Sequence, residues 1–127
     1  MANRPSASTL KNKATRLHSE IVRGRGRCEA QGYDGQGCAG PLETAHIVSR
    51  RYSATRTDLD NALCLCSGHH RYFTADPIGW TRFVDGYLGV AKADGIRAKA
   101  HAGVDGSSRL FWLDEVERLT EVRSRLP

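Results

Sequence analysis

Long apolar runs are missing from this chain. No stretch approaches the ~18 consecutive apolar residues that a membrane-spanning helix needs, so no membrane association is expected. The first thirty residues lack an apolar segment followed by a cleavage site, so no secretory signal is expected and the protein is placed in the cytoplasm. There is no internal repeat and no long low-complexity segment. Cysteine is scarce, at four residues, and under reducing conditions these serve better as metal ligands than as disulfide partners.

What is present fits a small globular protein. The 127 residues suit one domain, with 39% hydrophobic and 26% charged residues, a polar but not a disordered composition. If the terminal segments are peripheral, the compact part falls towards ~80 residues, where a metal staple is physically useful. The net charge of +5 is uneven: residues 1–56 hold ten Lys/Arg against four Asp/Glu, and residues 57–127 hold nine against ten. A basic half can meet a polyanion, nucleic acid being the usual one, or can simply be a solubilising surface.

Residues 1–7 read as a loose tail and 8–22 as a helix capped by Ser8 or Thr9, with Leu10, Ala14, Leu17 and Ile21 near one face. GRGR at 24–27 ends that helix, and a glycine-rich loop follows between Cys28 and Cys38. Pro41 leads into a strand-like run, LETAHIV, and residues 50–60 read as an arginine-rich loop. A second apolar run, ALCLC at 62–66, leads through Gly68-His69-His70 into a short helix. Asp76-Pro77 starts another, to about Leu88, with Ile78, Phe83, Tyr87 and Leu88 partly on one face. Residues 91–100 are expected to be helical, 102–108 a linker, and 109–125 an amphipathic helix anchored by Phe111 and Trp112. Trp80, Phe83 and Tyr87 read as core rather than as base-stacking groups.

Cys28, Cys38, Cys66 and His69 form a candidate zinc set. Cys66-x2-His69 has the tight spacing of a zinc knuckle, while Cys28-x9-Cys38 is long but can be folded back by its glycines. Cys64, two residues before Cys66, reads as a small core residue, since i and i+2 thiolates chelate one ion less readily. Core packing is the alternative for all four cysteines.

His46, Asn61 and His70 each have an ordinary explanation alone: a hydrogen-bonded strand histidine, a turn former, a helix start. Together with the cysteines they give the order Cys…Cys…His-Ile…Asn-x4-Cys-x2-His-His. With the segments RCEA, HIVSRRYSATRTDLDNALCLCSGHH and RYFTADPIGW, this resembles the HNH endonuclease family, in the zinc-stabilised form of small proteins from phages of actinobacteria. The likeness covers about residues 20–88.

The resemblance implies an α+β protein with a ββα-metal core at 23–88, a structural zinc site, an N-terminal tail and helix at 1–22 and a C-terminal helical extension at 89–127. It implies that His46 is the general base, that His70 binds a catalytic divalent ion (Mg2+, Mn2+ or Ni2+), and that Asn61 orients the base or touches the ion. Cys28, Cys38, Cys66 and His69 match the structural Zn2+ set. Many members carry Asp or His immediately before the base histidine as a second ligand; here that residue is Ala45, which ligates nothing. Glu43, two residues back, is one substitute; Asn61 or a water is another, and a weak or inactive site is the third. Arg50, Arg51, Arg56 and Arg71 are expected to contact DNA phosphates.

The expected partner is DNA, hydrolysed with low sequence specificity. The resemblance adds a setting in a phage-infected bacterial cell, in DNA packaging beside the terminase large subunit, and a homodimer is open. A non-catalytic zinc-finger DNA-binding module is the competing reading, but zinc folding alone needs none of His46, Asn61 and His70. A homing or restriction nuclease is a third, for which the chain has little room for recognition modules.

Overall fold

The computed structural model describes residues 4–127; the first part of the expected tail lies outside the described residues. Helix α1 spans Ala7–Arg23, and Ser6 caps it through a side-chain bond from the Thr9 amide. The cap therefore falls two residues earlier than Ser8, and the expected tail shortens accordingly. Leu10, Ala14, Leu17 and Ile21 are buried as the spacing requires.

Strands β1 (Leu42–His46) and β2 (Ala62–Cys66) form an antiparallel hairpin in which Glu43 faces Leu65 and His46 faces Ala62. β1 stops at His46, short of the apolar run LETAHIV, because beyond the Ile47 amide the ladder passes to a side chain: the Val48 amide bonds Asn61 Oδ1. The arginine-rich segment is not a plain loop. It holds a one-turn helix, α2 (Ser53–Arg56), and a 3-10 turn at Leu59–Asn61.

Helix α3 (Ser67–Thr74) packs across the hairpin, completing a ββα unit. It is followed by α4 (Pro77–Leu88), α5 (Val90–Ala100) and α6 (Arg109–Ser124). On α4 the buried pair is Phe83 and Val84, while Ile78 is 68% exposed, so the inward face is turned from the one expected.

Two main apolar centres result. One joins Leu63, Leu65, Phe73, Phe83 and Val84 around the ββα unit. The other joins Leu10, Leu17 and Ile21 of α1 to Trp112, Val116 and Leu119 of α6. Trp112 is fully buried, and its indole N–H donates to the Gly106 carbonyl at 2.8 Å, so the large ring loses no polar partner. From α6, Arg118 donates to the Thr57 carbonyl and Glu115 accepts from the Thr57 hydroxyl, tying the chain between the strands to the helical pair. Among the described residues no helix is long and apolar enough to cross a membrane.

Candidate active site and metal centre

The metal centre forms where the glycine-rich loop folds back on β2 and α3. The Glu29 amide bonds the Cys64 carbonyl and its carboxylate accepts from the Cys64 amide, which seats Cys28 beside β2. Gly40 makes the return turn. Its φ is +81°, and a Cβ there would lie 2.8 Å from the Ser67 side chain, so this turn requires glycine. The turn brings the Ala39 amide to Cys66 Sγ and Cys38 into the cluster.

The ligand atoms of Cys28, Cys38, Cys66 and His69 all lie within 4.8 Å of one another. His69 Nδ1 is 3.4, 3.6 and 3.2 Å from the sulfurs of Cys28, Cys38 and Cys66. A tetrahedral zinc with bonds of about 2.3 Å to sulfur and 2.0–2.1 Å to nitrogen has S···N edges of about 3.5 Å, so the residues present fit the ion. Local desolvation and the thiols of Cys28 and Cys66 push Cys38 up to about 11. Burial also opposes ionisation of Cys66, but the amides of His69 and Ala39 and its side-chain neighbours bring it down to about 6. A central divalent cation would remove the mutual repulsion of three thiolates. Cys64, fully buried against Val22 and Ala62, stands outside the set as expected.

His46 ends β1. Its Nε2 lies 2.9 Å from the Arg56 carbonyl, a bond that makes Nε2 the donor and leaves the lone pair on Nδ1. Burial, opposed by that carbonyl and assisted by His18, Arg50 and Arg56, holds the imidazole down to about 4, so it is neutral at physiological pH. Its ring stacks on that of His18, a fully buried α1 residue that the sequence reading passed over. His18 Nε2 bonds the Asp58 carbonyl at 2.9 Å, and its Nδ1 is buried without a partner among the described residues.

Asn61 is fully buried and committed to backbone. It accepts from the Val48 amide and donates to the carbonyls of Val48 and Thr55, pinning β1 to the α2 segment that carries the Arg56 carbonyl. Both of its amide hydrogens are thereby used.

His70, on α3, meets Glu43 of β1: Nδ1 and Oε1 are 2.8 Å apart, and Ser67 donates to the other carboxylate oxygen. The His70 and Ser67 bonds hold the Glu43 carboxyl below its usual range. A neutral His70 donating through Nδ1 keeps the Nε2 lone pair, the arrangement in which a carboxylate orients a metal-binding imidazole. Ala45 is buried, lining a smaller pocket of about 270 Å³ together with His46 and His70.

His46, Glu43, His70, Arg50 and Arg56 line one cleft of about 1240 Å³. Arg56 is braced there by Thr15 and the Arg50 carbonyl. Arg51 and Arg71 are exposed but not among the cleft-lining residues, Arg51 lying over the Tyr52 ring. Helix α1 also lines the cleft, through Asn12, Arg16, Ser19 and Arg23, and it meets the site directly where Arg56 donates to Thr15 and Ser19 bonds Thr44; none of the four lining residues is a site residue expected from the sequence. Their signal was present: they fall at helical spacing on the face away from the apolar stripe.

The hairpin crossed by α3 forms a ββα unit, with a Cys3His cluster that could hold a metal ion and two histidines on a cationic cleft. Residues 23–79 match the family model for HNH endonuclease, which covers the loop, the hairpin, α3 and the start of α4. No curated protein and no solved structure matches the chain.

Proposed function

We propose that this protein is a metal-dependent DNA endonuclease with His46 as the general base. The observation that carries the reading is the convergence of His46, the Glu43–His70 pair, Arg50 and Arg56 on one cleft of a segment matched to HNH endonuclease. His70 would hold the catalytic cation through Nε2 while Glu43 orients the ring, which would give Glu43 a role without direct ligation and offset Ala45 in part. The cation, when bound, supplies positive charge to the scissile phosphate and the leaving oxygen. His46 accepts the proton of the attacking water at Nδ1, while the Arg56 carbonyl holds Nε2–H and fixes the ring. Arg50 and Arg56 seat the phosphate backbone, with Arg51 and Arg71 as outer contacts, so affinity depends on salt more than on base sequence. Asn61 is a positioning residue. The Cys28, Cys38, Cys66 and His69 cluster holds a structural zinc with no open position for chemistry.

The test is cleavage of supercoiled plasmid with Mg2+, Mn2+ or Ni2+, wild type beside His46→Ala. Metal-dependent cutting that drops ~10²–10⁴-fold in the variant is the expected result. Equal cutting by both proteins refutes the assignment of the base; no cutting by wild type despite DNA binding favours a binding module. On the family resemblance we place the activity in phage DNA packaging, beside a terminase large subunit. Stimulation of cutting by that subunit tests the placement.

A further inference from the structure

The first helix lies outside the segment matched to the nuclease family, apart from its last residue. Its charges are sorted by face. The apolar stripe packs on α6, and the helix's one carboxylate, Glu20, is paired with Arg123 of α6 at 2.6 Å. The face turned to the cleft carries Asn12, Arg16, Ser19 and Arg23 and no acid. Arg16 and Arg23 are exposed and have no carboxylate partner among the described residues. Elsewhere some cations are paired, Arg25 with Glu29, Arg97 with Asp85, Lys99 with Asp58 and Arg118 with Glu115, while others such as Arg27 and Arg82 are not, so it is the grouping of unpaired cations along one cleft that sets Arg16 and Arg23 apart. In the same cleft Arg50 and Arg56 also lack a carboxylate partner, Arg56 leaning on Thr15 of α1, and the cleft's carboxylate, Glu43, is held by His70. A cleft lined by four cations from α1 and from the chain between the strands, with its acid already bonded, is complementary to a polyanion.

We propose that the cleft-facing stripe of α1, centred on Arg16 and Arg23, is a second phosphate-binding wall that grips duplex DNA and continues the surface of Arg50 and Arg56. The assignment rests on the nuclease reading and extends the DNA surface beyond the matched segment. The helix is then a two-sided clamp, its apolar face seated on α6 and its cationic face on the sugar-phosphate backbone.

The experiment measures duplex affinity against KCl concentration by fluorescence anisotropy, in the full chain carrying His46→Ala so that DNA stays intact. Adding Arg16→Ala and Arg23→Ala should lower the slope of log affinity against log salt by roughly 1.8, the loss of two phosphate contacts. Arg16→Lys with Arg23→Lys should restore most of the slope, and Arg82→Ala with Arg125→Ala, on other surfaces, should leave it unchanged. Both α1 residues are exposed; if the alanine pair fails to fold, the same measurement on Arg16→Gln with Arg23→Gln decides. A parent that binds with a slope unaffected by the α1 pair overturns the α1 wall alone. An equal loss in the Arg82/Arg125 control overturns it too, by showing diffuse attraction. A loss seen only with duplex RNA overturns its assignment to DNA. A parent that fails to bind duplex DNA at low salt overturns both this proposal and the nuclease reading.

Discussion

His18 and His46 lie face to face, ring centroids 5.1 Å apart and planes inclined by 29°. Each donates through Nε2 to a carbonyl of the chain between the strands, Asp58 for one and Arg56 for the other. The proposed base is thus held from one face by a buried ring on α1 and at one edge by backbone. Removing the ring in His18→Ala should lower cleavage on the order of tenfold by letting the base tilt, since small misplacements are costly. His18→Phe keeps the stack and should recover most of the rate. The comparison is made on single-turnover rates at saturating metal; full activity in the alanine variant would remove His18 from the site.

Both imidazoles also make folding sensitive to acid. Burial lowers His18, and it lowers His46 from 6.5 to about 4. The unfolded chain therefore takes up protons before the folded one does. Their stabilisation is complete above about 6.5 and is lost as pH falls towards 4. Urea midpoints measured in one buffer series should fall between pH 7.5 and pH 5, and a midpoint that rises on acidification contradicts the assignment.

Zinc removal should unfold the ββα unit rather than merely inactivate it, because structural zinc supplies ~10–16 kcal/mol in small zinc modules. Cys28→Ala or His69→Ala should yield protein without bound metal by elemental analysis and without a cooperative thermal transition. Cys64→Ala should retain one zinc per chain, because its thiol lies in a separate apolar cluster. Loss of zinc in that variant would redraw the ligand set.

Asn61→Ala leaves the Val48 amide and the Val48 and Thr55 carbonyls without their side-chain partner. A cost of about 2–4 kcal/mol is expected from denaturant unfolding, with lost activity following lost fold. An Asn61 that contacts the ion instead would show weaker metal affinity at unchanged stability.

Glu43→Ala frees His70 Nδ1 and should raise the metal concentration for half-maximal cleavage ~10–100-fold, as loss of an orienting carboxylate does. The rate at saturating metal should change far less. An unchanged metal titration would leave the pair without a functional role.

Part of this architecture is legible in the sequence. The spacing of Leu10, Ala14, Leu17 and Ile21 marks α1, and the runs LETAHIV and ALCLC mark the two strands. The Cys66-x2-His69 step marks the local half of the candidate metal quartet, whereas the Cys28-x9-Cys38 half depends on the glycine-rich loop folding back. His18 was harder: it sits between Leu17 and Ile21 on the buried stripe, and that polar interruption was its only signal. The cationic side of α1 was missed because the amphipathic reading followed only the apolar half. The α2 turn is too short for any periodicity to show. Val84 takes the core place expected for Ile78 because α4 packs against α3 and α5, neighbours that its own periodicity does not reveal.

The pairing of α1 with α6 has a kinetic side. Its outer contacts join residues 103 and 104 positions apart, Glu20 with Arg123 and Pro5 with Arg109. The hairpin and α3 can form from neighbours in the chain, whereas the helical pair must close a loop of nearly the whole length. Helix α1 also docks on the hairpin itself, through Ser19 on Thr44 and His18 on the Asp58 carbonyl, so the cleft can take shape before α6 arrives. The distant helix then acts as a brace, fixing the tilt of a wall whose position nearer contacts have already chosen.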